Sequence, residues 1–463
     1  MADIAPEEFR RMGHEMVDWM AGYLADIREY PVVSKVQPGE LTDQLPASAP
    51  ETPECLDAIF EDFRSMILPA VTHWNHPRFH AYFSVSASAP GILGEMLTAA
   101  LNVNGMLWKS CPAATELEQV TLSWLRQWLG LPDEFFGIIY DTASISTMHA
   151  LAAAREMADP EARTRGALPN LTVYTSEHAH SSVEKGAIAL GFGQNNVRRI
   201  SVDSDFRMKP EALAWAMEAD VRAGKKPCCV TPTVGTTSIT SIDPVRAIGK
   251  IAADHGAWLH VDASYAGVAA VVPEFRWLLD ACDRADSIVV NPHKWMFTPI
   301  DLSAFYTRRP EILRCTFSFV AEFLKTAEDE RAVNYMDYGV PLGRRFRALK
   351  LWFVMRAFGR ERVTEIIRSH ITWAQELAAE IRLDPEFELS APVPLSLVCF
   401  RFLGTNEQNR KLLELVNASG IAFLSHTVLN GQFVLRLAIG SVHTTRDDIR
   451  ETWACVRSCS REL

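Results

Sequence analysis

A lysine and an aspartate, each set just beyond a short apolar run, are the residues of this chain best suited to chemistry. Lys294 stands in Asn291-Pro292-His293-Lys294-Trp295 directly after Ile288-Val289-Val290, and Asp262 closes the run Trp258-Leu259-His260-Val261. A β-branched run stopped by Asn-Pro reads as a buried strand, and open α/β sheets gather their ligands at the carboxyl ends of strands. The two residues are about thirty positions apart, one strand–crossover–strand unit, so right-handed connections bring both to the same sheet edge. There they can form an ion pair. Alternatively the amine can form a Schiff base with an aldehyde. The cofactor would then be pyridoxal phosphate, with the carboxylate keeping its pyridine nitrogen protonated so that the ring acts as an electron sink.

The surrounding pattern supplies such a sheet. From about Pro90 to Arg345, strand-like runs such as Thr172-Val173-Tyr174 and Cys228-Cys229-Val230 alternate with helical ones, as in a doubly wound, mostly parallel sheet. Glu116 to Leu129 reads as a helix closed by Gly130. Thr142-Ala143-Ser144-Ile145-Ser146-Thr147 precedes the helical Met148 to Arg155. Hydroxyls and backbone donors at a helix start suit a phosphate, or they form an ordinary helix cap. After Arg345 a long helix, Ala348 to Phe358 and then Arg362 to Ile381, precedes short strands around Leu397 to Phe400 and Phe433 to Leu437. Helix and sheet are segregated there, as in a small α+β domain. At the other end, residues 7 to 30 read as an amphipathic helix with Phe9, Met12, Met16, Trp19, Met20 and Tyr23 at helical spacing. Pro31 to Pro53 cannot continue that helix and is expected to run extended over a surface. The expected divisions are a helical arm (1–89), a large α/β domain (90–345) and a small α+β domain (346–463).

A chain of 463 residues, 48% hydrophobic, can bury a large core and is not disordered. Its formal charge of −11, with no basic run, argues against nucleic-acid or anionic-membrane partners. Nine irregularly spaced cysteines form neither a zinc pattern nor a disulfide framework and read as reduced thiols. The acidic start lacks the apolar core of a signal peptide, and no segment reaches the roughly 18 apolar residues of a membrane span. A soluble, cytoplasmic protein is expected.

Further motifs run from near the start of the chain to near its end: Thr72-His73-Trp74, His76-Pro77, Ala81-Tyr82-Phe83, Ser110-Cys111-Pro112-Ala113 with Thr115-Glu116-Leu117-Glu118, Ala179-His180-Ser181-Ser182-Val183-Glu184, Gly235-Thr236-Thr237, and Pro341-Leu342-Gly343-Arg344-Arg345-Phe346-Arg347. With the lysine and aspartate segments, they make the chain resemble the group II pyridoxal-phosphate decarboxylases, most closely the aromatic L-amino acid decarboxylases. The resemblance implies fold type I with a seven-stranded sheet, and a homodimer with active sites at the subunit interface. It implies Lys294 as the cofactor's anchor, Asp262 as partner of the ring nitrogen and His180 stacked on the ring. Thr142, Ala143, Ser144, Thr237 and Asn291 match phosphate contacts, with Ser264 and His293 beside them. The family usually has Gly-Ser where this chain has Asp141-Thr142, so Asp141 is expected to point away from the phosphate. Trp74, Tyr82, Phe83 and Val85 would line the substrate's aromatic ring, with Asn104 and Met106 reaching across from the second subunit and Gly343 leaving room for an indole. Ser84-Val85 replaces the Pro-Thr of DOPA-using members, and valine cannot hydrogen-bond a catechol. Phenylalanine, tyrosine or tryptophan is therefore the expected substrate.

One position departs from the resembling family. Its catalytic loop carries a tyrosine in Tyr-Leu-Lys, where this chain has Phe323-Leu324-Lys325. Phenylalanine has no proton to return to the substrate carbon. In the resembling family this exchange marks aldehyde synthases, which consume oxygen and release aldehyde, ammonia, carbon dioxide and peroxide. Decarboxylation to the arylethylamine is the expectation adopted, with oxidative deamination as the alternative; Tyr335, Tyr338 or a water could replace the missing donor. No metal is expected. A metal-dependent hydrolase using His178, His180, His260 and Asp262 would leave Lys294 unexplained, and a non-catalytic scaffold would not need the cofactor positions.

Overall fold

A computed structural model describes residues 3–166, 169–319, 324, 326–328 and 331–463. Seven strands form the main sheet: β1 (Phe136–Tyr140), β2 (Leu171–Ser176), β3 (Val197–Ile200), β4 (Lys226–Thr231), β5 (Trp258–Asp262), β6 (Ser287–Val290) and β7 (Ser303–Thr307), in the order β1-β7-β6-β5-β4-β2-β3. From β6 through β3 every pairing is parallel, whereas β7 runs antiparallel to both β1 and β6. Every residue of β5 and β6 is buried, which is why both read as continuous apolar runs rather than alternating ones. They pair with Asp262 opposite Val289, and the indole of Trp258 donates to Ser287 Oγ at 2.8 Å across the pair.

The helix Ala143–Ala158 lies across β4, β5 and β6. Its buried run Ala150, Leu151, Ala152, Ala153 and Ala154 keeps that face thin enough for close approach. A smaller antiparallel sheet, β10-β11-β9-β8, comprises β8 (Phe387–Leu389), β9 (Leu397–Phe402), β10 (Ser425–Leu429) and β11 (Gln432–Ala438). The helix Ala348–Leu383 packs against both halves of the molecule, and Gly359 interrupts it with φ 60°. That break falls between the two helical runs expected from sequence.

At the amino end the helix is Pro6–Ala25, followed by a 3₁₀ turn at Ile27–Glu29, so it stops short of the expected residue 30. The stretch after Pro31 is not wholly extended, because Glu40–Gln44 forms a short helix. The helix Ala89–Leu101 presses its Gly94 onto the backbone of Lys350, where a Cβ would fall 2.7 Å from Cα. Leu93, Leu97 and Leu101 on the same helix stay exposed. Among the described residues no helix is long and apolar enough to cross a membrane.

Candidate active site

β5 and β6 end side by side, and Ser264 joins what they carry. Its N–H donates to Asp262 Oδ1 at 3.1 Å, its carbonyl accepts from Asn291 N at 3.0 Å, and its hydroxyl accepts from Lys294 Nζ at 3.3 Å. Pro292 starts a single helical turn, Pro292–Trp295; proline's fixed φ suits that first position. The turn carries Lys294 just beyond the strand. Burial lowers the pKa of the Lys294 amine, and the Asp262 charge opposes that shift.

Three parallel rings floor the site. Phe83 stacks on Tyr265 with centroids 3.7 Å apart, and Tyr265 stacks on Trp295 at 4.8 Å. Lys294 Nζ stands 5.8 Å from the centre of the Phe83 ring. Trp74 and Tyr82 belong to a separate cluster, stacked on each other at 5.8 Å and joined by Phe79 and Phe423. The single aromatic wall expected from sequence is therefore two groups: Phe83 is buried beneath the lysine, whereas Trp74 and Tyr82 are exposed at the rim. Val85 is half-buried.

His180 lies exposed in the turn after β2, its Nδ1 accepting from Ser182 N at 3.1 Å. Partial desolvation lowers its pKa, and the charge of Asp262 opposes that. His293 is buried and holds Leu302 through Nδ1, which accepts its N–H at 3.0 Å; burial pushes its pKa down to about 3. His260 is fully buried between Ser287 Oγ (2.9 Å) and Thr147 Oγ1 (3.4 Å). With both its ring nitrogens engaged, and no group of three metal-ligating side chains among the described residues, the hydrolase alternative has no centre to stand on.

The start of the Ala143–Ala158 helix has no side-chain cap. Asp141 does not point away from it: Oδ1 accepts both the N–H (2.5 Å) and the hydroxyl (3.1 Å) of Thr142. Thr142 is thus spent locally, which leaves the free N–H groups of the first turn and the exposed Ser144 hydroxyl. Thr237 is exposed after the Gly235 turn. Gly235 has φ +86°, and a Cβ there would fall 2.5 Å from Ala266 Cβ. Asn291 is 1% exposed, yet its Oδ1 has no hydrogen-bond partner among the described residues. A buried acceptor left unpaired is costly and fits a site that receives a hydrogen-bond donor. An amine with lowered pKa, a carboxylate at the same sheet edge and an uncapped helix start together fit pyridoxal phosphate.

Asn104, Met106 and Gly343 gather elsewhere. Asn104 Oδ1 accepts from Arg344 N at 2.9 Å, and its Nδ2 lies 3.5 Å from Met106 Sδ. A Cβ on Gly343 would sit 3.6 Å from Asn104 Nδ2. Among the described residues, no hydrogen bond or ring contact ties this group to Lys294 or Phe83 within the chain. Met106 also packs with Leu107, Leu324 and Met336. Phe323 and Lys325 lie outside the described residues. Tyr335 is buried, with its hydroxyl directed to Gly137 O at 3.4 Å and its ring 4.5 Å beneath the Arg344 guanidinium. Tyr338 packs on Phe136 at 5.1 Å. Both pack beside β1, Tyr335 buried and Tyr338 half-buried.

Sequence reasoning missed Tyr265 as the middle ring of the floor. It also missed Arg436, whose guanidinium lies 5.6 Å from the Phe83 ring. Nothing local in β11 marks that arginine.

Residues 38–403 match the family model "Pyridoxal-dependent decarboxylase conserved domain". The chain is 42% identical to phenylacetaldehyde synthase of Arabidopsis thaliana, covering 97% of this chain and 95% of that one. It is 41% identical to tyrosine decarboxylase 4 of Petroselinum crispum, covering 98% and 93%. Among solved structures, that of Oryza sativa TDC with PLP and tryptamine superposes with a TM-score of 0.96 at 37% identity, covering 99% of each chain. A lysine and a carboxylate joined at one edge of a fold type I sheet, inside a match of this extent, make this chain a member of the pyridoxal-dependent decarboxylase family.

Proposed function

We propose that the chain decarboxylates aromatic L-amino acids with pyridoxal phosphate held at Lys294. The observation that carries this reading is the half-buried Lys294, its amine pKa lowered by desolvation, joined through Ser264 to Asp262. When bound, the cofactor supplies an aldehyde for that amine and a ring that accepts the electron pair left as carbon dioxide departs. Asp262 holds a proton on the ring nitrogen by charge pairing. His180, exposed in the turn after β2, would stack on the ring. The first-turn N–H groups at Ala143 and Ser144, the hydroxyls of Ser144 and Thr237, and Asn291 through its Nδ2 would hold the phosphate. Thr142 contributes only if it releases Asp141.

Trp74, Tyr82 and Val85 are the proposed surroundings of the substrate ring, with Phe83 beneath the reacting carbon. Val85 offers a catechol no hydrogen bond, which favours phenylalanine, tyrosine or tryptophan. The exposed faces of Leu93, Leu97 and Leu101, and of Phe9, Met16 and Val17 on the first helix, support a homodimer. Asn104, Met106 and Gly343 would then complete the partner's site. In this reading residues 1–89 are the dimerisation arm, 90–345 hold the cofactor and 346–463 close over it. The free cysteines suit a cytoplasmic enzyme.

A second product outcome rests on one observation: Tyr335 is buried with its hydroxyl on Gly137 O, so it is no ready substitute for the proton donor lost at Phe323. Oxygen would then take two electrons and two protons to give peroxide, and water would release the aldehyde and ammonia, with carbon dioxide already lost. Incubation with phenylalanine, tyrosine and tryptophan, measuring amine, aldehyde and peroxide together, tests both. Amine without peroxide rejects the aldehyde outcome; no carbon dioxide from any of the three rejects the substrate class.

A further inference from the structure

We propose that Ser425 and Arg436, on β10 and β11 of the small sheet, are positioning residues that set side-chain selectivity by clamping Tyr82 in a left-handed backbone conformation. The proposal rests on the reading above that Tyr82 borders the substrate ring.

Tyr82 has φ +53°, a conformation that residues with a Cβ rarely adopt without support. Here both of its backbone groups are held by the small sheet. Its N–H donates to Ser425 Oγ at 3.1 Å, and its carbonyl accepts from Arg436 Nη2 at 3.4 Å. Arg436 Nη1 closes the ring by donating to the same Ser425 Oγ at 2.5 Å. The adjoining chain is moored there too, because His80 N donates to Phe423 O and Ala438 N donates to His80 O.

Arg436 is 4% exposed, and among the described residues no carboxylate is paired with it. Its remaining bonds go to the carbonyls of Thr237 (2.6 Å) and Ser238 (2.8 Å). A desolvated guanidinium spent on neutral backbone oxygens fixes geometry rather than balancing charge. It ties the Tyr82-Phe83 bend to the turn that carries Thr237, so the rim of the site is registered from the small sheet while Lys294 is registered from the large one. Released from the clamp, Tyr82 relaxes toward negative φ and its ring leaves the stack on Trp74.

The test uses Ser425→Ala and Arg436→Lys holoenzymes, with Ser425→Thr as the conservative control. Amide hydrogen exchange of a peptide spanning residues 80–86 is read in apoenzyme and holoenzyme, and kcat and KM are measured for phenylalanine, tyrosine and tryptophan. Expected are unchanged absorption of the lysine-bound cofactor, exchange at Tyr82 faster by about tenfold, and a change of about fivefold in the tryptophan-to-phenylalanine ratio of kcat/KM, chiefly through KM. Ser425→Thr should restore both readouts. Unchanged exchange overturns the clamp. Faster exchange with an unchanged ratio, or equal loss for all three substrates, overturns the selectivity role and favours a general structural or anion-binding one. A wild-type enzyme inactive on all three amino acids overturns the substrate reading and the selectivity claim with it, while the exchange measurement still decides the clamp.

Discussion

Lys294 and Asp262 are linked through one side chain: Ser264 accepts from the lysine at 3.3 Å while its own N–H donates to the aspartate at 3.1 Å. The link is local to the sheet edge and needs no residue from elsewhere in the chain. Ser264→Ala removes only the hydroxyl acceptor, a loss of about 1 kcal/mol. The expected result is about fivefold lower kcat/KM with cofactor content unchanged, measured by steady-state kinetics and absorbance.

Removing the charge at Asp262 is more severe. Asp262→Asn should keep the fold and bind cofactor, yet lose about 10²–10³ in kcat, the scale of one preorganised electrostatic contact. It also bears on Lys294. Burial lowers that amine's pKa and the aspartate raises it, so the rate of cofactor capture by apoenzyme should rise with pH to a midpoint below the ordinary 10.5. In Asp262→Asn the midpoint should move lower still. A midpoint that does not move contradicts the electrostatic coupling.

Seven histidines are buried among the described residues, and six of them, strongly shifted, make the fold acid-sensitive. Burial pushes His76, His293 and His370 down to about 3 and His80, His149 and His260 down to about 4, from an ordinary 6.5. Because the folded pKa values are depressed, the unfolded chain takes up protons first as pH falls. Stability from these groups is complete above 6.5 and is lost from 6.5 down to about 4 for the last three and down to about 3 for the first three. Each contributes up to about 1.4 kcal/mol per pH unit. Melting temperature should drop steeply from pH 6.5 to 5, and less steeply in His370→Gln, which can still accept from the Trp295 indole. A flat profile over that interval would count against neutral burial of these rings.

How far the site was readable from sequence depended on whether each residue's signal was local. β5 and β6 were legible because burial on both faces makes each a continuous apolar run, and Asn-Pro marks where the second stops. The break at Gly359 was legible for the same local reason. β7 was not: Phe-Tyr-Thr favours a strand, but Ser-Ala-Phe-Tyr-Thr is neither a continuous apolar run nor an alternating one, and pairing with β1 and β6 fixes it. Tyr82 and Phe83 were read as one wall because neighbours in sequence were taken as neighbours in space; the positive φ at Tyr82 sends them to different clusters. Arg436 acts entirely through tertiary contacts, so no spacing or motif announces it.

Subunit sharing can be tested by mixing two inactive proteins. If Gly343 completes the partner's site, Lys294→Ala and Gly343→Trp chains should together recover about a quarter of wild-type activity after mixed refolding, one intact site per mixed dimer. No recovery, with mixed dimers present, would place Gly343 at its own chain's site or at none.

Product outcome should follow residue 323. If the wild-type enzyme forms peroxide, Phe323→Tyr should shift product from aldehyde toward amine, read by chromatography and peroxide assay. An unchanged ratio would refute Phe323 as the cause.

The most direct measurement is borohydride reduction of the purified holoenzyme followed by peptide mapping. A pyridoxyl group on the peptide that carries Lys294, absent in Lys294→Ala, is the predicted result. A label on another lysine, or none on a protein that still releases carbon dioxide from aromatic amino acids, would contradict the account.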